Sequence, residues 1–66
     1  MTNYITVNTK SNFNNANGIK LEVIYFLGGI VSAKVPLYGF DEQGAPQGNY
    51  ITADFQLKEI TSITSN

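Results

Sequence analysis

The stretch Leu21-Glu22-Val23-Ile24-Tyr25-Phe26-Leu27-Gly28-Gly29-Ile30-Val31-Ser32-Ala33-Lys34-Val35-Pro36-Leu37 decides the fold of this chain. Apolar residues recur at every second position on both sides of the two glycines, a pattern that predicts two antiparallel strands joined by a tight turn. A three-residue loop, which pairs Leu27 with Val31, brings the apolar positions of both strands to one face, whereas a two-residue turn mixes them with polar positions. The alternation therefore favours the three-residue loop and predicts a core face made of Leu21, Val23, Tyr25, Leu27, Val31, Ala33, Val35 and Leu37.

Shorter patterns predict further strands on either side of this hairpin. Residues 3–9 alternate around Ile5 and Val7, and residues 50–60 alternate from Ile51 through Phe55. The segments 10–18 and 39–49 are rich in Asn, Ser or Gly and are predicted to be loops, with Phe13 pinning the first loop to the edge of the core. We expect an all-β fold, either a small antiparallel meander or an OB/SH3-like barrel of four to five strands. The predicted strands are 3–9, 19–27, 31–38 and 50–60, and a polar tail is predicted over residues 61–66.

The length of the chain limits how much core it can build. Its 66 residues form one domain over positions 1–66, and a chain of this size buries only about 60% of the surface that its unfolded form exposes. The sequence contains neither cysteine nor histidine, which removes disulfides and the commonest zinc ligands as sources of extra stability. Self-association remains, so we expect a homo-oligomer, most simply a dimer.

The charge of the chain narrows the class of partner. The formal net charge is −1 and only 14% of the residues are charged, so no global field attracts polyanions, which argues against duplex-DNA binding by charge neutralisation. A local basic patch is compatible with these values. No segment approaches the roughly 20 apolar residues of a membrane span, and residues 1–4 show no signal-peptide pattern. We expect no membrane partner and a location in the cytoplasm of a host cell or in a virion.

Signatures of catalysis and metal binding are sparse in this sequence. Without His or Cys, catalysis would depend on carboxylates, and a paired-carboxylate mechanism needs two of them in one cleft, which so small a domain seldom provides. Asp41-Glu42 followed by Gly44 lacks the alternating oxygen ligands of a calcium loop, and the same loop lacks the Lys-Ser/Thr ending of a phosphate-binding loop. We therefore expect no enzyme, no cofactor, no metal and no small-molecule substrate.

The second face of the predicted sheet has a different composition. It collects several aromatic residues and three of the four lysines of the chain. Aromatic rings stack on nucleic-acid bases at about 1–3 kcal/mol each while lysines contact phosphates, and neither contribution requires a basic protein. This face predicts a binding site for single-stranded nucleic acid, formed by Lys20, Phe26, Lys34, Tyr38, Tyr50 and Lys58, with Tyr4 and Gln56 beside them.

The same residues also have a purely structural explanation. Tyr and Phe are good strand formers, so their presence on an exposed face needs no ligand. Lys34 lies diagonal to Glu22 across the predicted hairpin, an arrangement that predicts a surface ion pair. The outward face is therefore open to two interpretations, a nucleic-acid site or an ordinary solvated sheet surface.

Segments in the second half of the chain carry a family resemblance. Leu27-Gly28-Gly29, Lys34-Val35-Pro36-Leu37, Gly48-Asn49-Tyr50-Ile51-Thr52 and Phe55 resemble the small dimeric single-stranded DNA-binding proteins of filamentous phages. The resemblance covers about half of the chain. It implies a five-stranded, OB-like barrel that pairs through a two-fold axis, with Lys34 and Tyr50 as the nearest counterparts of its DNA-binding residues. In place of the family's protruding basic and aromatic hairpin, this chain has the Asn-rich segment of residues 10–18.

These observations lead to one expected function and two alternatives. We expect a non-enzymatic β module that binds single-stranded nucleic acid as a homodimer. A structural or assembly protein of a phage virion is the main alternative, favoured by the low charge, the abundant Asn, Thr and Gly, and an edge near Pro36 through which subunits could share strands. A small acidic protein could also inhibit a host protein by imitating a polyanion.

Overall fold

The computed structural model describes residues 2–65 and shows an all-β domain built from one open antiparallel sheet. The strands follow the order β4-β3-β2-β1-β5 across the sheet, so β4 and β5 form its two edges. The expected all-β antiparallel fold is confirmed. The strands are β1 (Asn3–Val7), β2 (Leu21–Leu27), β3 (Ile30–Pro36), β4 (Tyr50–Gln56) and β5 (Ile60–Ser65), and 3-10 turns occupy Phe13–Asn15 and Leu57–Glu59.

The short connection between the two edge strands requires the sheet to curl. In a flat sheet, the edges would be about 19 Å apart, four strand spacings of about 4.8 Å. The four residue steps from Gln56 to Ile60 reach only about 14 Å when fully extended. The curl lets the chain leave β4, pass through the 3-10 turn Leu57–Glu59 and pair β5 with β1, with Val7 opposite Ile60.

The β2–β3 hairpin differs from the predicted register. Leu27 pairs with Ile30 and not with Val31, so the turn consists of the two residues Gly28 and Gly29. Both glycines have positive φ, +55° and +88°, as a two-residue hairpin turn of this kind requires. The three-residue loop is therefore wrong. The extra residue lies within β2, where the register shifts between Val23 and Tyr25.

This irregularity in β2 divides the predicted faces into two parts. Before the irregularity, Val23 pairs with Ala33. Both residues lie on the core side, which is the face that the alternation predicted for them. Beyond the irregularity the parity is inverted, because a one-residue insertion exchanges the faces of a strand. Phe26 now lies opposite buried Val31, on the core side, while Tyr25 lies opposite Ser32 on the outward side. The outward placement of Phe26 and the core placement of Tyr25 and Leu27 are therefore wrong.

The core fills the inside of the curled sheet. It draws alternate residues from β1 and β3, one residue each from β2 and β4, and two residues from the loops. Each large side chain of this set contributes about 1.5–3 kcal/mol through burial. The buried hydrophobic residues are Ile5, Val7, Ala16, Leu21, Val31, Ala33, Val35, Phe40 and Phe55, with Ile19, Val23, Ala53 and Ile60 packed against them.

The loop between β1 and β2 is held by hydrogen bonds of Thr9 and Asn17. The Thr9 backbone N–H donates to Asn17 Oδ1 at 2.8 Å, and Asn17 Nδ2 donates to the Thr9 carbonyl at 3.0 Å. The Phe13 N–H donates to Thr9 Oγ1 at 2.8 Å. The Phe13 ring meets Phe55 edge-on, with 6.1 Å between centroids, so the prediction that Phe13 pins this loop to the edge of the core is confirmed.

This loop in turn docks against the loop between β3 and β4. The Phe40 N–H donates to the Asn14 carbonyl at 3.2 Å, Asn14 Nδ2 donates to the Pro36 carbonyl at 3.0 Å, and Asn15 Nδ2 donates to the Phe40 carbonyl at 3.3 Å. Asn14 and Asn15 both have positive φ, a conformation that asparagine tolerates better than most residues. The two loops therefore form one hydrogen-bonded layer over one end of the sheet.

The end of the chain differs from the predicted tail. The fourth strand stops at Gln56 instead of continuing to residue 60, because the Gln56 N–H donates to Glu59 Oε1 at 3.0 Å and opens a 3-10 turn. Residues 61–65, predicted as a tail, belong to β5, which pairs with β1 from Asn3 opposite Ser65 to Val7 opposite Ile60. Asn66, the last residue of the predicted tail, lies outside the described residues.

Candidate functional site

A concave groove of about 200 Å³ opens on the outward face of the sheet. We call it the tyrosine–lysine groove. Its lining comes from four strands, the end of the β1–β2 loop and the β3–β4 loop, so only the folded sheet brings these side chains together. The lining residues are Tyr4, Lys20, Leu21, Glu22, Lys34, Phe40 and Tyr50.

Strand register explains how the polar side chains meet in this groove. Tyr4 on β1 is directly opposite Glu22 on β2. Tyr50 on β4 is directly opposite Pro36 on β3, which places it diagonal to Lys34. Diagonal neighbours in an antiparallel pair lie about 7–8 Å apart, within reach of long and aromatic side chains. The four side chains Tyr4, Glu22, Lys34 and Tyr50 therefore form a row across the strands.

The central lysine of this row has two partners. Lys34 Nζ lies 3.7 Å from Glu22 Oε2 and 6.0 Å from the centroid of the Tyr50 ring. The predicted ion pair is confirmed, but the pairing of Val23 with Ala33 puts Glu22 directly opposite Lys34 instead of diagonal to it. Both of its side chains are close to half-exposed, so the pair contributes only about 0–1 kcal/mol. An incoming anion can therefore replace Glu22 as the partner of Lys34 at small cost.

The structure brings together half of the predicted nucleic-acid residues. Lys20, Lys34 and Tyr50 line the tyrosine–lysine groove, and Tyr4 joins them. Phe26 lies on the core side near the β2–β3 turn because of the register shift in β2. Lys58 lies on the 3-10 turn Leu57–Glu59, since β4 ends before it.

Tyr38 and Gln56 lie outside the groove. Tyr38 follows the end of β3 in the β3–β4 loop and is 77% exposed. Its ring packs over Gly48, where an added Cβ would approach Tyr38 Cδ2 to 2.6 Å. Gln56 is the last residue of β4 and is exposed. Neither residue lines the tyrosine–lysine groove.

Three residues of the groove were missed as site residues by sequence reasoning, and one of them, Leu21, was predicted only as core. Glu22 was placed on the correct face but only as an ion-pair partner, although its carboxylate controls the availability of Lys34. Phe40 is buried and lines the groove from the β3–β4 loop. Phe40 is the one aromatic residue of the predicted loop 39–49, and this is the signal that could have identified it, because such loops rarely bury a large side chain without packing against the sheet.

A larger groove, of about 340 Å³, runs along the β4 edge of the sheet. It contains none of the predicted nucleic-acid residues, and two carboxylates, Asp54 and Glu59, are part of its lining. Asp54 Oδ1 accepts a hydrogen bond from the hydroxyl of buried Ser32. Negative charge makes this edge groove unsuitable for phosphate.

The described part of the chain offers few other chemical features. Within residues 2–65 no helix has the length and apolar character needed to cross a membrane. The same range holds no group of three or more His, Cys, Asp or Glu side chains placed to bind a metal ion. Comparisons with protein-family models, with curated proteins and with solved structures find no match for this chain, and its function is therefore inferred from its grooves and their chemistry.

Proposed function

We propose that the protein is a non-enzymatic module that binds single-stranded nucleic acid in the tyrosine–lysine groove. The observation that carries this proposal is the convergence of Tyr4 and Tyr50 with Lys20 and Lys34 in one concave site on the sheet. Such a site combines stacking surfaces with phosphate partners, which is the combination that sequence-tolerant single-strand binders use. A globally basic surface is not required for it.

The size of the groove fits a short stretch of strand. Each base that stacks on a tyrosine contributes about 1–3 kcal/mol, so the two rings serve two nucleotides. Two lysines neutralise two phosphates, which predicts a logarithmic salt slope of about −1.4, so a fourfold rise in salt lowers the affinity roughly sevenfold. This dependence is shallow compared with that of a strongly basic protein.

Glu22 is expected to oppose binding. Its carboxylate pairs with Lys34 at 3.7 Å, and a phosphate that approaches the same ammonium meets a like charge. The exchange of one partner for the other costs no more than the pair itself, about 0–1 kcal/mol. Removing the negative charge of Glu22 should therefore tighten nucleic-acid binding by up to about fivefold at low salt, a sign opposite to that of every other change in the groove.

We also propose that the module acts as a homodimer. The second half of β2 supports self-association, since Tyr25 and Phe26 are each 49% exposed and Leu27 is 70% exposed. These side chains expose apolar surface on both faces of one end of the sheet, and exposed apolar surface in a small domain is typical of protein interaction sites. The tyrosine–lysine groove begins at the other half of β2, so pairing at this end leaves the groove open.

Titration with poly-dT tests the nucleic-acid proposal directly. The four tyrosines are the dominant fluorophores, since the chain has no tryptophan, and stacking on a base should quench them. We expect Tyr50→Ala to weaken binding at every salt concentration, Lys34→Gln to weaken it and flatten the salt slope, and Glu22→Gln to tighten it. Lys58→Gln and Tyr38→Ala are matched controls outside the groove and should bind like the unaltered protein.

Two results would refute the proposal. The first is the absence of quenching and of gel retardation with micromolar protein at about 50 mM salt. The second is equal weakening by Lys34→Gln and Lys58→Gln, which would indicate a diffuse charge effect instead of a site. In either case the role in a phage virion or its assembly becomes the leading proposal, because the exposed β4 and β5 edges allow strands to be shared between subunits.

A further inference from the structure

The β4 edge of the sheet carries unpaired backbone groups. Within residues 2–65, β4 pairs with β3 alone. The hydrogen bond from the Leu37 N–H to the Asn49 carbonyl shows that these two residues form a hydrogen-bonded pair of the β3–β4 ladder. Because hydrogen-bonded pairs recur at every second residue, Ile51 and the residues in phase with it turn their N–H and C=O groups toward β3. The N–H and C=O groups of Thr52 and Asp54 therefore point away from the sheet, into open space along its edge.

The edge groove lies beside these groups and combines apolar and acidic surface. Phe13 and Ile51 supply apolar surface, and the Phe13 ring is held edge-on against the buried ring of Phe55. Asp54 and Glu59 supply two carboxylates, and none of the nine residues that line the groove is basic. The groove thus offers a ladder of backbone partners, an apolar surface and a place for positive charge within one cavity of about 340 Å³.

Both carboxylates are already held in place by the fold. Asp54 Oδ1 accepts from the Ser32 hydroxyl, and Glu59 Oε1 accepts from the Gln56 N–H at 3.0 Å. A carboxylate has two oxygens and can accept further hydrogen bonds from a cation while it keeps these. Fixed acceptors lose little conformational entropy when a ligand arrives, which favours binding.

From this arrangement we propose that the β4 edge binds an extended peptide segment carrying a lysine or arginine, which adds a sixth strand to the sheet. Backbone hydrogen bonds to Thr52 and Asp54 supply affinity, and alternate side chains of the peptide supply specificity. Its apolar side chains pack against Phe13 and Ile51, which are exposed, and its basic side chain is attracted to Asp54 and Glu59. The proposal concerns a different surface from the tyrosine–lysine groove and does not depend on nucleic-acid binding.

Charge decides between the occupants of such an edge. A second copy of this chain, pairing β4 with β4, would bring two acidic grooves together, and like charges facing each other are unfavourable. A nucleic-acid strand would place phosphates beside the same two carboxylates. A basic peptide complements the groove, and it also satisfies the edge N–H and C=O groups that a strand edge presents.

Fluorescence anisotropy with a labelled hexapeptide tests this proposal on the full chain. The probe is Thr-Val-Lys-Val-Thr-Val, and the control peptide carries Glu in place of Lys. We expect saturable binding of the first peptide and binding weaker by about tenfold for the second, since one charge changes from attraction to repulsion. The double variant Asp54→Asn with Glu59→Gln should remove this difference between the peptides.

Thr52→Pro tests the backbone ladder. Proline is tolerated on an edge strand where the N–H faces solvent, so the variant should keep the circular dichroism spectrum of the sheet and lose at least about tenfold in peptide affinity. If Thr52→Pro fails to fold, a probe with N-methyl groups on alternate residues removes the same hydrogen bonds from the peptide side. That probe should then bind at least about tenfold more weakly than the unmodified one.

The opposite outcomes overturn the proposal. Binding that survives both Thr52→Pro and N-methylation would place the peptide elsewhere on the protein. No anisotropy change up to about 1 mM peptide would exclude a useful affinity. A dimer in solution that Thr52→Pro dissociates, combined with no peptide binding, would assign the edge to a second copy of the chain.

Discussion

Substitution of Gly39 by alanine tests whether the two loops dock in solution as they do in the structure. Gly39 has φ +77°, and an added Cβ would lie 2.5 Å from the Asn14 carbonyl oxygen, a backbone atom that cannot rotate away. Gly44 provides a matched control. It has φ +81°, and nothing lies within 4 Å of its added Cβ. The two variants therefore share the backbone strain and differ in the steric contact between the loops.

The expected losses follow from these two contributions. An alanine in the left-handed region costs about 1–2 kcal/mol, partly offset by the lower entropy of the unfolded chain, so Gly44→Ala should lose about 1 kcal/mol. Gly39→Ala also pushes the loops apart. It puts at risk the three hydrogen bonds that Asn14 and Asn15 make with Pro36 and Phe40, at about 1 kcal/mol each. The total of about 4 kcal/mol approaches the whole stability of a small domain.

Urea denaturation followed by circular dichroism measures both losses. With a slope of about 1 kcal/mol per molar urea for a domain of this size, Gly44→Ala should lower the midpoint by about 1 M and Gly39→Ala by several molar. If Gly39→Ala leaves no folded baseline, Asn14→Ala removes the side-chain bond to the Pro36 carbonyl without a clash and should cost about 1 kcal/mol. Equal losses for the two glycine variants, within about 0.5 kcal/mol, would refute the docking of the loops.

Four further outcomes follow from the packing. Phe55→Asp should unfold the domain, since an unpaired charge in the core costs several kcal/mol, whereas Thr52→Asp should change stability by no more than about 0.5 kcal/mol; equal tolerance in urea would contradict the β4 register. Asn17→Ala should lower the free energy of unfolding by about 1–3 kcal/mol through its lost bonds to Thr9, and a silent change in thermal melting would argue against that network. Removal of residues 61–66 should unfold the protein, because it deletes most of β5, the strand that pairs with β1; a cooperative melt of the truncated chain would restore the tail interpretation. The melting temperature of the full chain should rise with protein concentration if the proposed homodimer forms, and light scattering that shows a monomer at tens of micromolar would exclude it.

The register of the hairpin shows why alternation predicts the fold better than it predicts local geometry. Alternation records only whether two positions share a face. A three-residue turn, and a two-residue turn combined with an extra residue inside β2, both put Leu21 and Val35 on the same face of the hairpin. The core residues of the first half of β2 were therefore predicted correctly, although the turn was not. Beyond the irregularity the two arrangements differ, and there Phe26 exchanged faces with Tyr25.

The same limit explains which site residues could be predicted. Lys20, Lys34 and Tyr50 lie outside the end of the hairpin where the extra residue in β2 exchanges the two faces. They were therefore placed on the correct face, and they meet in the groove. Lys58 was placed by extending β4, but a hydrogen bond between Gln56 and Glu59 ends that strand, and the sequence alone gives no measure of that competition. β5 was mistaken for a tail because an edge strand with little buried surface can be composed almost entirely of polar residues.

The pairing of β1 with β5 has a consequence for the synthesis of this protein. Asn3 lies opposite Ser65, and the Ser65 hydroxyl donates to Asn3 Oδ1 at 2.7 Å, so the contact joins residues that are 62 positions apart in the sequence. On the ribosome, β1 emerges first and must wait for β5, the last strand to leave the exit tunnel. The sheet can therefore close only after β5 has left the tunnel, and until then the backbone edge of β1 that pairs with β5 is open to chaperones or to a neighbouring nascent chain.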